Sequence, residues 1–292
     1  MAEISIMSYQ IEKFIDEALA EDVIDYNGKI PSGDHSSLAC IPNAEDGSAK
    51  LLCKAEGIIA GIELAEHICA RVDAGLQFER LLEDGTPIKH GDVAFRIHGE
   101  IKSILRAERL VLNFMQRMSG IATHTSKFVA AVDGTGTRIL DTRKTTPNFR
   151  YFEKWAVRIG GGHNLRFGLY DMIMLKDNHI DFCGGIEKAI RAVKEYQQKN
   201  DLNLPVEIET RSIEEVEQVL KAGNVKRIMF DNFAPALMKQ AVKLVDNKYE
   251  TEASGGINLE NVRSYADTGV DFISVGALTH SSVSLDLSLK KS

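Results

Sequence analysis

Four basic residues, Arg143, Lys144, Arg166 and Lys176, gather in one stretch of a chain that is acidic overall, with 42 Asp and Glu against 35 Lys and Arg. Cations collected in an acidic protein repel one another unless an anion binds among them. Arginine offers a planar fork for carboxylate or phosphate, and lysine a point charge. Further along, Ser254-Gly255-Gly256 and Gly276 leave backbone N–H groups open to a phosphate. Glu209 and Asp231 are the odd pair, because carboxylates repel an anionic ligand unless they serve a cation. Three readings stay open for them: Mg²⁺ shared with substrate phosphates, support of an oxocarbenium-like centre, or plain ion pairs with Arg143 or Lys176. The residues alone point to an enzyme that handles a phosphorylated sugar and a carboxylate-bearing partner.

These residues share a position. Each ends, or directly follows, a short apolar run: 139–141, 163–166, 172–176, 206–209, 228–231, 252–254 and 272–275. Helical segments fit between most of them, with Ile186–Gln197, Ile213–Ala222 and Pro235–Val245 the clearest. Strand–helix alternation predicts an α/β parallel sheet with crossover connections. Seven strands in so short a span suit a barrel, whose C-terminal strand ends form one mouth where active sites lie. No G-x-G-x-x-G and no G-x-x-x-x-G-K-[ST] is present, so nucleotide-fold readings lose their main support.

The first third reads differently. Spacing predicts a helix over Ser8–Leu19, a polar loop over Asn27–Ser37, a strand over Leu51–Ala55 and a helix over Ile62–Val72. Short strands follow at Gln77–Leu82, Thr86–Lys89 and Val93–His98, punctuated by Asp84-Gly85 and His90-Gly91-Asp92. A long helix over Lys102–Met118 closes at Ser119-Gly120 and carries the domain boundary, giving domains 1–116 and 117–292. This division leaves room for the extreme C-terminus to pack back on the first domain.

Composition excludes several classes. With 44% hydrophobic and 26% charged residues, the chain is expected to be globular rather than disordered. No uncharged apolar run approaches the ~18 residues of a membrane span, and the acidic N-terminus lacks the basic region of a signal peptide. The acidic balance argues against nucleic-acid binding by overall charge. Cys40, Cys53, Cys69 and Cys183 are scattered without a C-x-x-C pair, which predicts structural thiols and a cytoplasmic address.

Longer runs then carry a resemblance. Glu108–Phe114 (E-R-L-V-L-N-F), Ser119–Thr123 (S-G-I-A-T), Leu140–Pro147 (L-D-T-R-K-T-T-P), Gly160-Gly161-Gly162, Lys176–His179 (K-D-N-H), Asp231-Asn232-Phe233 and Ser254–Ile257 (S-G-G-I) are similar to quinolinate phosphoribosyltransferases over nearly the whole chain. The resemblance implies an N-terminal α/β sandwich followed by an incomplete seven-stranded α/β barrel. It implies a cytoplasmic homodimer that joins quinolinate to phosphoribosyl pyrophosphate with Mg²⁺, giving nicotinate mononucleotide, pyrophosphate and CO₂ for NAD biosynthesis. No nucleic acid or membrane partner is implied.

Residue by residue, it implies that Arg143 and Arg166 hold the quinolinate carboxylates, with Arg109 reaching in from the neighbouring subunit. Lys144, Lys176, Glu209 and Asp231 would surround the phosphoribosyl pyrophosphate, the two carboxylates serving its Mg²⁺. Ser254, Gly255, Gly256, Gly276 and His280 would contact the phosphate end.

Two departures matter. The family usually reads G-G-G-x-N-H-R, whereas this chain has Gly162-His163-Asn164-Leu165-Arg166. His163 and Leu165 would share a strand face roughly 6.5 Å apart. Either His163 partly substitutes for the absent imidazole, or Leu165 packs and the imidazole is dispensable. The second departure is Gly33-Asp34-His35-Ser36-Ser37, where the family tends to have G-D-x-T-[ST]. Two alternatives are a related phosphoribosyltransferase with another aromatic carboxylate acceptor, and a catalytically silent ligand-binding homologue.

Overall fold

The computed structural model describes residues 11–41 and 45–292. The strands, in chain order, are β1 (Asp46–Cys53), β2 (Gly57–Ile58), β3 (Gln77–Arg80), β4 (Pro87–Ile88), β5 (Val93–Glu100) and β6 (Arg138–Leu140). They continue as β7 (Ile173–Leu175), β8 (Val206–Thr210), β9 (Arg227–Asp231), β10 (Glu250–Ser254), β11 (Phe272–Ser274) and β12 (Leu287–Lys291). The helices are α1 (Ile11–Val23), α2 (His35–Cys40), α3 (Ile62–Val72), α4 (Ile101–Ala131), α5 (Arg150–Ile159) and α6 (Asp177–Cys183). After them come α7 (Ile186–Lys199), α8 (Ile213–Ala222), α9 (Pro235–Val245), α10 (Val262–Ala266) and α11 (Ala277–His280).

The chain divides into two compact units. The first gathers the chain up to Thr123, Tyr151–Gly160 and Ser282–Ser292; the second is His124–Arg150 with Gly161–Ser281. The extreme C-terminus packs with the first unit, as the sequence division left room for, and Tyr151–Gly160 joins it there. The change of unit falls inside α4, most of α5 returns to the first unit, and so does the C-terminal strand.

The first unit is an antiparallel sheet in the order β12-β1-β5-β3 with a small β2-β4 pair. β12 lies along β1, Leu289 opposite Leu51. Helix α3 matches its predicted span. Of the predicted helix Ser8–Leu19, residues 8–10 lie outside the described residues, and α1 continues to Val23. Phe14, Phe114 and Phe152 stack with ring centroids 4.7–5.9 Å apart, tying α1, α4 and α5. The predicted loop Asn27–Ser37 instead leads into α2, because the Asp34 carboxylate caps its N-terminus by accepting from the Ser36 and Ser37 N–H groups, both at 3.1 Å. The G-D-x-S-S run is thus a helix cap.

The largest correction concerns α4. Ser119-Gly120 does not end it; the helix runs on to Ala131. The Ser119 hydroxyl accepts from the Ala60 N–H at 2.9 Å. A Cβ on Gly120 would lie 2.1 Å from the Val283 carbonyl oxygen. Both small residues are demands of close packing, which in sequence read as a stop signal. One turn earlier, Arg117 donates to buried Glu153 through NH2 at 2.7 Å and to the Ser282 carbonyl at 2.8 Å, joining α4, α5 and the C-terminal segment.

The second unit is a parallel sheet in the order β6-β11-β10-β9-β8-β7. Six strands form it, and the expected seventh is reduced to one bridge, His163 beside Leu140. The ladder stops there because the Leu165 N–H donates to the Asp141 carboxylate rather than to a strand carbonyl. β8 is buried at all five positions, as in a strand covered on both faces.

Gly120→Ala tests the packing account. Helix propensity alone would favour alanine by about 1 kcal/mol, whereas overpacking costs about 1–3 kcal/mol. The contact with Val283 is hard enough for the second to win. The urea midpoint should fall with an unchanged slope. A variant at least as stable as the parent would show that the Val283 segment moves aside freely.

Candidate active site

Every predicted site residue except Arg109 belongs to the second unit. Arg109 sits exposed on α4 in the first unit.

β6 ends at Leu140, and buried Asp141 follows. Its carboxylate accepts from the Leu165 N–H at 2.9 Å and from Asn164 Nδ2 at 2.6 Å. These bonds latch the segment bearing Arg166 onto the end of β6. Leu165 is buried among Leu140, Met172, Met174, Met229 and Phe272. Leu165 therefore packs, as the second reading of the departure from the family pattern expects of that side chain. The half-buried His163 pairs through its backbone, donating to the Ile139 carbonyl at 2.8 Å.

Arg166 is buried and donates to the Met172 carbonyl at 3.3 Å. Burial first, and the charge of Arg143 second, disfavour its charged form and lower its pKa, while Glu207, Asp171 and Glu209 oppose that shift. Among the described residues no carboxylate lies within ion-pairing distance of Arg143 or Arg166. Two guanidiniums are therefore held near each other without a direct protein counter-charge.

β7 delivers Lys176. The Lys176 N–H donates to His179 Nδ1 at 3.0 Å, which closes the first turn of α6 and explains the spacing of the K-D-N-H run. The Lys176 ammonium is ion-paired to Oε1 of Glu209, a buried residue at the end of β8. The Asp177 N–H reaches the other oxygen at 3.3 Å. Of the three roles left open for the carboxylates, the ion pair with Lys176 is present.

β9 ends at Asp231, and the turn beyond it is built by Asn232, whose φ is 56°. Asn232 donates from Nδ2 to Asp231 Oδ2 at 2.8 Å and from its N–H to the Ser254 carbonyl at 2.9 Å. Gly255 has φ 98°, and a Cβ there would lie 2.2 Å from Asn232 Oδ1, so only glycine fits. Gly256 has φ 62° with open space around it. The S-G-G turn and the D-N-F turn are thus one assembly.

At the next strand end, Gly276 makes room for two side chains. A Cβ there would lie 2.9 Å from Lys144 Cδ and 3.1 Å from His280 Nε2. The Thr279 hydroxyl holds the Lys144 carbonyl at 2.8 Å. Lys144, Gly276 and His280 therefore form one group.

One layer went unread in the sequence. Arg227, Glu207 and Glu252 are all buried. Arg227 NH1 is 2.7 Å from Glu252 Oε2 and 3.7 Å from Glu207 Oε2, while NH2 is 2.9 Å from Glu250. Its guanidinium carbon stands 4.0 Å from the Phe272 ring centroid. The alternation Val206-Glu207-Ile208-Glu209 was the available signal, since it puts two glutamates on one face of a strand. Burial, with Glu252 second, pushes the Glu207 carboxyl well above the usual range, against Arg227 and Arg166.

The family model described as quinolinate phosphoribosyl transferase, C-terminal domain, matches residues 121–290, and its N-terminal counterpart matches 34–119. A mitochondrial quinolinate phosphoribosyltransferase [decarboxylating] of Nicotiana glauca is 44% identical over 97% of this chain and 82% of its own length. A probable nicotinate-nucleotide pyrophosphorylase [carboxylating] of Bacillus subtilis is 41% identical, over 96% and 93%. The solved structure of NadC from Streptococcus pyogenes superposes with a TM-score of 0.90 at 36% identity, covering 99% of this chain and 98% of its own. With both domains matched and the mouth of the barrel built as described, the chain belongs to the quinolinate phosphoribosyltransferase family.

Proposed function

We propose that this chain is a pentosyltransferase that moves phosphoribosyl from phosphoribosyl pyrophosphate to quinolinate with loss of CO₂, giving nicotinate mononucleotide and pyrophosphate. The observation that carries it is the pair Arg143 and Arg166, which act on each other electrostatically with no carboxylate among the described residues in ion-pairing distance, in the same unit as the Lys176–Glu209 ion pair. Two guanidiniums suit the two carboxylates of quinolinate, each through a bidentate contact. Lys144, His280 and the glycine turns at 255–256 and 276 suit the phosphate end of the donor.

Magnesium fits this site as a partner shared with substrate. Among the described residues no group of three or more His, Cys, Asp or Glu could hold a metal by itself. Glu209 and Asp231 offer two carboxylates, which suits an ion that takes most of its ligands from phosphates and water. When bound, Mg²⁺ would neutralise charge on the departing pyrophosphate.

The steps then follow from charge. The C1–oxygen bond to pyrophosphate breaks and the pyridine nitrogen bonds to C1. Positive charge develops at C1 between these events, and Glu209 and Asp231 stabilise it while orienting the ribose hydroxyls. The ribosylated nitrogen is cationic. When the adjacent carboxylate leaves as CO₂, the bonding pair stays on the ring carbon, where the neighbouring cationic nitrogen stabilises it, and that carbon then takes a proton from water. No protein nucleophile is required.

The proposal extends to a homodimer in which Arg109 enters the neighbouring subunit's site, supported by its exposure on α4. It also extends to a cytoplasmic address, supported by four free cysteines. Separately, no helix among the described residues is long and apolar enough to cross a membrane.

Incubation with quinolinate and phosphoribosyl pyrophosphate should yield nicotinate mononucleotide, whereas nicotinate should not serve as acceptor. Arg143→Ala and Arg166→Ala should each raise KM for quinolinate by more than about tenfold and affect the donor less, since each removes a charged bidentate partner. Wild-type KM in both variants would remove the acceptor assignment.

A mixing experiment tests the shared site. Arg109→Ala and Glu209→Ala chains are each expected to be nearly inactive. After subunit exchange, a mixed dimer carries one intact site and one doubly damaged site, so random mixing should restore up to about a quarter of wild-type activity. A mixture no better than its parents, with exchange verified, contradicts donation of Arg109.

Glu209→Gln should lower kcat more than it weakens either substrate's Kd, because the charge it stabilises exists only near the transition state. Weaker binding with unchanged kcat would make Glu209 a residue that only positions substrate.

A further inference from the structure

Arg150 lies outside every motif role assigned above, yet its guanidinium joins the two segments that carry the acceptor arginines. Nε donates to the Thr145 hydroxyl at 3.0 Å, and NH1 donates to the Phe167 carbonyl at 3.0 Å. Thr145 is two residues after Arg143, and Phe167 directly follows Arg166. The guanidinium carbon also stands 5.9 Å from the Phe167 ring centroid.

Both anchoring points are themselves held. The Asp171 carboxylate accepts from the Phe167 N–H at 2.7 Å and the Gly168 N–H at 3.0 Å, which fixes the backbone after Arg166. On the other side, the Phe149 N–H bonds the Thr146 carbonyl at 3.1 Å, with Pro147 and Asn148 (φ 62°) between them, as in a type II turn. That turn presents Arg150 at the start of α5, facing back along the loop it closes. A planar guanidinium with donors in fixed directions can span two such acceptors, which a lysine ammonium on a flexible stem does poorly.

We propose that Arg150 is a positioning residue for the acceptor clamp, tying the Arg143 loop to the Arg166 segment so that both guanidiniums meet one aromatic dicarboxylate. The inference rests on reading Arg143 and Arg166 as the partners of the acceptor's carboxylates. Arg150 acts through geometry, since the two donors described are spent on Thr145 and Phe167. It sets the spacing of two like charges that would otherwise move apart. Misplacing a substrate-holding group by about 1 Å can cost on the order of a hundredfold in rate, so a brace of two hydrogen bonds has a measurable effect.

The test uses Arg150→Met, Arg150→Lys and Thr145→Val in the full chain, with steady-state constants for both substrates and thermal midpoints. Arg150→Met should raise KM for quinolinate by about tenfold while the donor's KM stays within about twofold. Arg150→Lys should fall between parent and Met, and Thr145→Val should show a smaller change of the same kind. Complete rescue by lysine would mean that the charge alone matters and would overturn the brace. So would equal rises in both KM values with a lowered thermal midpoint, the signature of general loosening. Should Arg150→Met fail to fold, an unchanged quinolinate KM in Thr145→Val overturns the proposal. Arg143→Ala and Arg166→Ala, assayed alongside, separate the two levels. If they raise quinolinate KM while Arg150→Met and Thr145→Val do not, the brace fails and the acceptor site stands. If they leave it unchanged, the acceptor site fails and the brace with it.

Discussion

Arg166 is a cation buried where water cannot fully solvate it, with another cation, Arg143, close enough to disfavour its charge further. Burying a charge without a partner is among the more costly things a fold can do, and an arginine does not escape by losing its proton. Much of the barrel mouth follows from this constraint. The Asp141 carboxylate latches the segment from below through Asn164 and Leu165. The Met172 carbonyl accepts from Arg166 itself. Glu207, Asp171 and Glu209 supply favourable field without forming a direct ion pair with it. The remaining cost is what an anionic substrate would offset under the proposed function.

The same logic extends into the barrel interior. Arg227 reaches Glu207 on β8 and Glu250 and Glu252 on its other neighbour, β10. Buried ion pairs are weak sources of stability compared with well-packed apolar groups. What this one supplies is register. A slip of one residue in β8 or β10 would carry the glutamates off the inner face and leave Arg227 buried without them. The strand ends that bear Glu209, Asp231 and Ser254 are two or more residues further along these same strands, so their heights in the mouth are set by the charged layer beneath.

Sequence reading reached the parts of the molecule where one residue type has one physical meaning. Apolar periodicity located α3, α8 and α9 at their observed limits. Polar residues at strand ends marked the mouth, because chain emerging from a covered parallel strand meets solvent and ligand there. Reading failed where one residue serves two purposes. Ser119-Gly120 ends helices elsewhere, but here it allows α4 to touch Ala60 and Val283. Asp34 looked like part of a polar loop and is a helix cap. Arg150 carried no signal because its partners are fixed by tertiary approach, and the K-D-N-H run did not show that His179 serves the turn after β7. The buried Arg227 layer was missed because charge in a strand is expected to face water. The assignment of Arg109 rests on the family resemblance alone, since an exposed arginine on a helix has no local feature that marks it.

Leu165, where the family usually has an imidazole, fits its surroundings through packing. Leu165 does not leave a gap, because it joins Met172, Met174, Met229, Phe272 and Leu140 in one apolar cluster. That cluster lies beside the segment whose next residue is Arg166. An imidazole at this position would have to find a hydrogen-bond partner among thioethers and hydrocarbon, or be left unsatisfied at a cost of about 1–3 kcal/mol. The three methionines and the leucine are thus mutually consistent as an apolar cluster. What packing cannot absorb is charge. The features that the proposed reaction needs are a pair of guanidiniums for two carboxylates, an ammonium beside a carboxylate, and glycine turns that admit phosphate. Each depends on charge or on bare backbone, and each is intact. A leucine at position 165 therefore alters local packing while leaving in place the charged groups and glycine turns to which the proposed reaction is assigned.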